Sequence, residues 1–138
     1  MQISAFDIAQ RFIGVREIAG EMSNPVILAM LRLDNDWPKD DSTPWCSAFV
    51  SYIAWLLRLP RSKSLAARSW LEVGTAVDTP EVGNDVVIFS RGTGSGHVGF
   101  YAGRSGLDDI FVLGGNQSDR VSVAAHPLGR LLGIRRLT

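Results

Sequence analysis

One cysteine, two histidines and a pair of adjacent amides are the side chains in this 138-residue chain that could together carry thiol-based covalent chemistry. Cys46 lies in Thr43-Pro44-Trp45-Cys46-Ser47-Ala48-Phe49-Val50. Proline is tolerated in the first turn of a helix but cannot extend one backwards, so this stretch predicts a helix that opens at the cysteine. Cys46, Phe49, Val50, Ile53 and Leu57 then fall on one helical stripe. A thiol in a first turn meets free backbone N–H groups and the positive end of the helix dipole, and both favour thiolate. The same cysteine also reads as a small buried hydrophobe, one of the commonest fates of a free thiol. Reading it as a nucleophile requires a base and a group to orient that base elsewhere in the chain.

His97 supplies the candidate base. It opens His97-Val98-Gly99-Phe100-Tyr101 after a glycine-rich turn, and alternation puts His97, Gly99 and Tyr101 on one strand face. The other histidine, His126, sits in Ala125-His126-Pro127-Leu128-Gly129 and reads as a surface turn residue. Asn116, in Leu113-Gly114-Gly115-Asn116-Gln117, is the candidate orienting group: a carboxamide can hold one imidazole nitrogen and turn the other toward the thiol. A plain Gly-Asn turn is the alternative there. Cysteine, then histidine, then asparagine is the order used by papain-like enzymes. The chemistry would be acyl transfer, with thiolate attack on an amide carbonyl, protonation of the leaving amine by His97 and hydrolysis of the thioester by water. A helix-terminal Cys–His⁺ pair is expected to be largely ionised near neutral pH. The Cys46 N–H would meet the oxyanion. Trp45, Asp41, Tyr101 and Gln117 are assigned to the substrate groove beside these three. For Trp45 the alternative is packing, and for Asp41 it is loop capping.

The surrounding elements follow from local signals. Ser4 and Asp7 form a capping box for a helix over about 5–16, and Asn24-Pro25 opens a second. The polar, proline-bearing segment 34–44 reads as a loop delivering the chain to Cys46. The cysteine helix should end near Arg58, ahead of Pro60. A short helix over 64–71 follows, closed by Gly74. Strand candidates lie at 86–89, 97–102, 110–113, 121–123 and 131–135. Helices first and strands second predict an α+β fold, N-terminal helices packed on a C-terminal antiparallel sheet, in one domain over 1–138.

Apolar residues make up 46% of the chain and charged residues 20%, with 14 acids balanced by 14 bases. That balance gives no electrostatic footprint for nucleic acid or an anionic membrane. One cysteine can form neither an internal disulfide nor a cysteine-rich zinc site. No cofactor or metal is expected, and no stretch is apolar for long enough to span a bilayer. The N-terminus has no signal-peptide pattern, so action on a wall would need delivery by another system. Sequence-adjacent Asp40 and Asp41 do not present the facing carboxylates that a glycosidase requires.

Five stretches occur in the order found in one group of hydrolases: Thr43 to Val50, Ala67-Arg68-Ser69-Trp70-Leu71, Gly83-Asn84-Asp85-Val86-Val87-Ile88-Phe89, Gly96-His97-Val98-Gly99-Phe100-Tyr101 and Leu113-Gly114-Gly115-Asn116-Gln117. Together they resemble CHAP-type (cysteine, histidine-dependent amidohydrolase/peptidase) domains of the NlpC-like papain-fold superfamily, in particular the short single-domain phage and bacterial members. The resemblance covers about residues 14–135. It implies a papain-like half-barrel and a monomeric peptidoglycan hydrolase, either an N-acetylmuramoyl-L-alanine amidase or an endopeptidase, of the kind used as endolysins or antibacterial effectors. It also implies the roles of Cys46 as nucleophile, His97 as base and Asn116 as third residue. Many CHAP enzymes carry glutamate where this chain has Gly114. A non-catalytic wall-binding module on the same fold and a muramidase using Asp40, Asp41 or Glu17 are the competing functions.

Overall fold

A computed structural model describes residues 2–19 and 23–138. Helix α1 (Ala5–Ala9) starts on the predicted capping box: Ser4 Oγ accepts the Asp7 N–H at 3.2 Å and Asp7 Oδ2 accepts the Ser4 N–H at 2.8 Å. It is shorter than the periodicity predicts, passing into one 3₁₀ turn over Gln10–Phe12. The reason is tertiary. Beyond Gly14 the chain is claimed by the segment after Gln117: Gly14 N–H bonds Val121 O, Val121 N–H bonds Val15 O and Glu17 N–H bonds Asp119 O. Helix α2 (Pro25–Leu31) is capped by Asn24, as expected, and α3 runs Cys46–Leu56. The fourth helix is a 3₁₀ segment, Ala67–Glu72.

Six strands follow: β1 (Thr75–Ala76), β2 (Asp85–Ser90), β3 (Gly96–Ser105), β4 (Asp109–Gly114), β5 (Ser122–Pro127) and β6 (Leu131–Arg136). They form one antiparallel sheet in the order β1-β6-β2-β3-β4-β5. The α+β expectation holds. Only β1 lacked a sequence signal, because two exposed residues carry no alternation.

The sheet curls strongly. Two strands separate β2 from β5, which in a flat sheet would hold them about 14 Å apart. Yet the rings of Phe89 on β2 and His126 on β5 stack with centroids 5.1 Å apart. Register shifts at Ile88/Phe89 and Tyr101/Gly103 supply local bends of the kind that curve a sheet. One sheet face (Val86, Ile88, Val98, Phe100, Leu113) buries Phe49, Val50 and Ile53 of α3. The other encloses a smaller cluster of Val87, Phe89, Tyr101, Ile110 and Val112, closed by Leu128, Leu131 and Ile134.

Candidate active site

Cys46 is the first residue of α3, with Trp45 at the cap position. The helix forms here because Pro44 stops it from running backwards, and because Phe49, Val50 and Ile53 bury the stripe that begins at Cys46. The sulfur abuts the sheet at the start of β3. Backbone N–H groups of Val98, Ser47 and Cys46 itself favour its anionic form, as does the charge of Arg91. Burial outweighs them: the residue is only 6% exposed and its thiol pKa is raised.

His97 is fully buried on β3, paired across the strands with Phe89. Its Nε2 lies 2.8 Å from Gln117 Oε1. A second imidazole reaches the same oxygen, with His126 Nε2 at 3.0 Å. The two rings stack with centroids 4.8 Å apart and planes 13° from parallel. The amide nitrogen of Gln117 faces the carbonyls of Ser122 at 2.7 Å and Val112 at 3.2 Å. Those contacts fix the amide, since the reversed orientation would set an oxygen against two carbonyl oxygens. Gln117 Oε1 is therefore the acceptor, and both histidines must present Nε2–H to it. In neutral His97 that leaves the lone pair on Nδ1. This Nδ1 is buried and makes no hydrogen bond among the described residues. No hydrogen bond joins it to the thiol in this conformation.

The imidazole is held strongly neutral. Burial, then the positive charge of Arg91, then His126 depress the His97 pKa to about 3, against a smaller opposing effect of the Gln117 bond. His126 is depressed too, by burial and Arg91. An ionised Cys–His⁺ pair, expected from the helix terminus alone, is thus replaced in the free protein by neutral thiol and neutral imidazole, because both groups are out of water.

The glycines before Gln117 have a steric reason. A Cβ on Gly114 would lie 3.2 Å from His97 Nε2 and 3.0 Å from Gln117 Oε1. One on Gly115 would strike the Trp45 ring at 2.6 Å. A side chain at position 114 would therefore crowd both the imidazole and the Gln117 amide that holds it.

Several expectations need correction. The group at the imidazole is Gln117, not Asn116. Asn116 stands in the left-handed region at φ +59, making the turn that swings the next side chain under His97. Gln117 is in turn 4% exposed and committed to internal bonds, so it lines no groove. Trp45 is fully buried, its Nε1–H donated to Glu17 Oε2 at 3.1 Å. Asp41 is buried as well, its Oδ2 accepting the N–H groups of Ile18 and Asn24 at 2.8 Å each, which makes it a loop organiser. Tyr101 belongs to the second core cluster. His126, read as a surface turn residue, is a member of the imidazole pair. Its signal was legible only as register: β5 opposite β4 puts His126 across from Ile110, on the inner face of the curl. Among the described residues no group of three acidic, histidine or cysteine side chains is arranged to hold a metal, and no helix is long and apolar enough to cross a membrane.

No family model matches this chain. No curated protein matches it either. Among solved structures, NlpC1 from Trichomonas vaginalis aligns over 96% of the chain with a TM-score of 0.56 and 16% identity, and the chain spans 42% of that protein's length. A likeness at that identity speaks to the fold, and the chain shares the α+β fold of NlpC1, in keeping with the papain-like architecture expected from the sequence.

Proposed function

We propose that the chain is a cysteine hydrolase that cleaves an amide bond in peptidoglycan, with Cys46 as nucleophile, His97 as base and Gln117 as the residue orienting it. The observation that carries this reading is the buried, unpartnered Nδ1 of His97, held as a lone-pair acceptor by the Gln117 bond on the opposite nitrogen. An orphaned buried acceptor is costly in a structural histidine, but it is what a general base requires beside a thiol. The wall substrate rests on the CHAP-like series of motifs and the NlpC-type fold.

In this mechanism the thiol gives its proton to Nδ1 as sulfur attacks the carbonyl carbon. The imidazolium so formed keeps its Nε2–H on Gln117 Oε1. Nδ1–H then protonates the departing amine, leaving a thioester on Cys46. Water, deprotonated by the same nitrogen, hydrolyses the thioester and restores the thiol. Backbone N–H groups at the start of α3 stabilise the oxyanion, and Arg91 and the Val98 N–H lower the cost of charge on sulfur.

Digestion of purified peptidoglycan, followed by assay of new amino groups, tests the proposal. Wild-type protein should release amines, and Cys46→Ala should reduce the rate by about 10³-fold or more while leaving the fold intact. Equal release by both proteins, or new reducing ends in place of amines, contradicts it.

A further inference from the structure

A cavity of about 330 Å³ opens beside the imidazole pair, lined by Phe89, Ser90, Arg91, His126, Pro127 and Arg130. Its charge is one-sided. Neither Arg91 nor Arg130 makes a side-chain hydrogen bond or an ion pair among the described residues. Arg68, which braces the same β2–β3 turn, is different in kind: its donors are taken by Ser95 O at 3.0 Å, Ser90 Oγ at 3.1 Å and Gly92 O at 2.7 Å. Arg68 thus fixes the turn, and the Arg91 N–H bond to Ser95 O closes it. Arg91 is left as an exposed cation on a braced backbone, and it lines the cavity together with Arg130. Asp109, on β4 opposite Pro127, is the carboxylate whose charge reaches His126, and it is not among the cavity's lining residues.

Two unpaired guanidinium groups lining one cavity, Arg91 among them on a braced turn, are suited to a planar anion. His126 also lines the cavity and its ring stacks on His97, which links the cavity to the proposed base through one imidazole. We infer that this cavity is a subsite for a carboxylate of the substrate, seating a carboxylate-bearing residue of the peptidoglycan stem peptide next to the scissile amide. The inference rests on the assignment of Cys46 and His97 as the reacting pair and deepens it: the substrate is an acidic peptide, recognised on the arginine side of His126.

The test uses two probes, the stem tripeptide with free carboxylates and the same tripeptide with every carboxylate amidated. Binding is measured on the full chain carrying Cys46→Ala, so that no turnover intervenes. The acidic tripeptide should bind about tenfold more tightly or better, and it should shift the ring-proton resonances of His126. In a further variant carrying Arg91→Gln and Arg130→Gln the preference should fall to near one, with Arg91→Lys recovering part of it. Both substitutions are at exposed positions, and an unchanged thermal midpoint checks the fold. Equal binding of the two probes, or an undiminished preference in the double arginine variant, overturns the inference. A parallel turnover assay with the Cys46-containing protein separates the two claims. If that protein hydrolyses neither the tripeptide nor whole wall, the nucleophile assignment fails, and the binding arm still decides the cavity.

Discussion

The two faces of the sheet bury comparable strands in different company. The helix-facing side is apolar, with Val86, Ile88, Val98, Phe100 and Leu113 packed on α3 and nothing on them to titrate. The inner side of the curl begins the same way, with Val87, Phe89 and Val112, but ends in two stacked imidazoles and an amide. The contrast shows how one fold separates tasks. Packing against α3 fixes where Cys46 and its helix lie on the sheet, and the polar end of the opposite face sets the protonation state of His97. The faces join at Gly114-Gly115, where one missing Cβ makes room for His97 and Gln117 and the other for Trp45.

The sharpest way to break that contrast is Gln117→Leu, which makes the polar end aliphatic. Both Nε2–H groups lose their acceptor and His97 loses its fixed tautomer. Wall hydrolysis should fall about 10²-fold and stability by about 2–3 kcal/mol, the latter read from urea unfolding. A change of equal size from shortening a helix-facing residue such as Ile88→Val would erase the distinction between the faces; that substitution should cost about 1 kcal/mol and little turnover.

Between about pH 7 and about pH 5, acid should act on the imidazole face. His97 in the fold is held at about 3, well below the ordinary value of 6.5 that applies to the unfolded chain. Between those values the unfolded chain binds a proton that the folded one refuses. This contribution is therefore complete above the unfolded pKa and is lost as pH falls through the window toward the folded one. The slope approaches about 1.4 kcal/mol per pH unit for one proton, and His126 acts in the same direction. Urea midpoints at about pH 7 and about pH 5 should differ strongly in the wild type and less in His97→Phe, whose site no longer titrates. Identical pH slopes in the two proteins would show that the imidazole is not what acid unfolds.

His126→Phe keeps a flat ring on Phe89 and His97 but removes one donor from Gln117. A roughly threefold loss of turnover and about 1 kcal/mol of stability are expected, measured in the same two assays. Asn116→Gly should do least. Glycine accepts the left-handed turn without strain, and the Asn116 side chain is not the group on His97, so turnover should stay within about twofold. A large loss would return the orienting role to Asn116.

Much of this was legible in the residues. Pro44 marked the start of α3, the stripe from Cys46 to Ile53 marked its buried face, and short runs between Gly, Asn, Asp and Ser clusters marked the five longer strands. His97 stood out through the glycines around it. What could not be read was anything decided by the curl. That His126 lies against His97 depends on β5 meeting β2 across two intervening strands. That Gln117 and not its neighbour turns inward depends on the positive φ of Asn116, which reverses the side-chain direction that strand alternation would assign. Trp45 and Asp41 looked like groove residues because they flank Cys46 in sequence. Their polar atoms are instead consumed by Glu17 and by the amides of Ile18 and Asn24.

The central claim is that Cys46 carries the acyl group. Acid-quenching a digestion of purified peptidoglycan at near-stoichiometric protein, then weighing the intact chain and mapping the adduct, tests it most directly. The predicted result is a wall-derived acyl mass on Cys46 that forms during digestion and is absent in Cys46→Ala. Amine release that proceeds at the same rate in Cys46→Ala, with no adduct at any time in the wild type, would contradict the account.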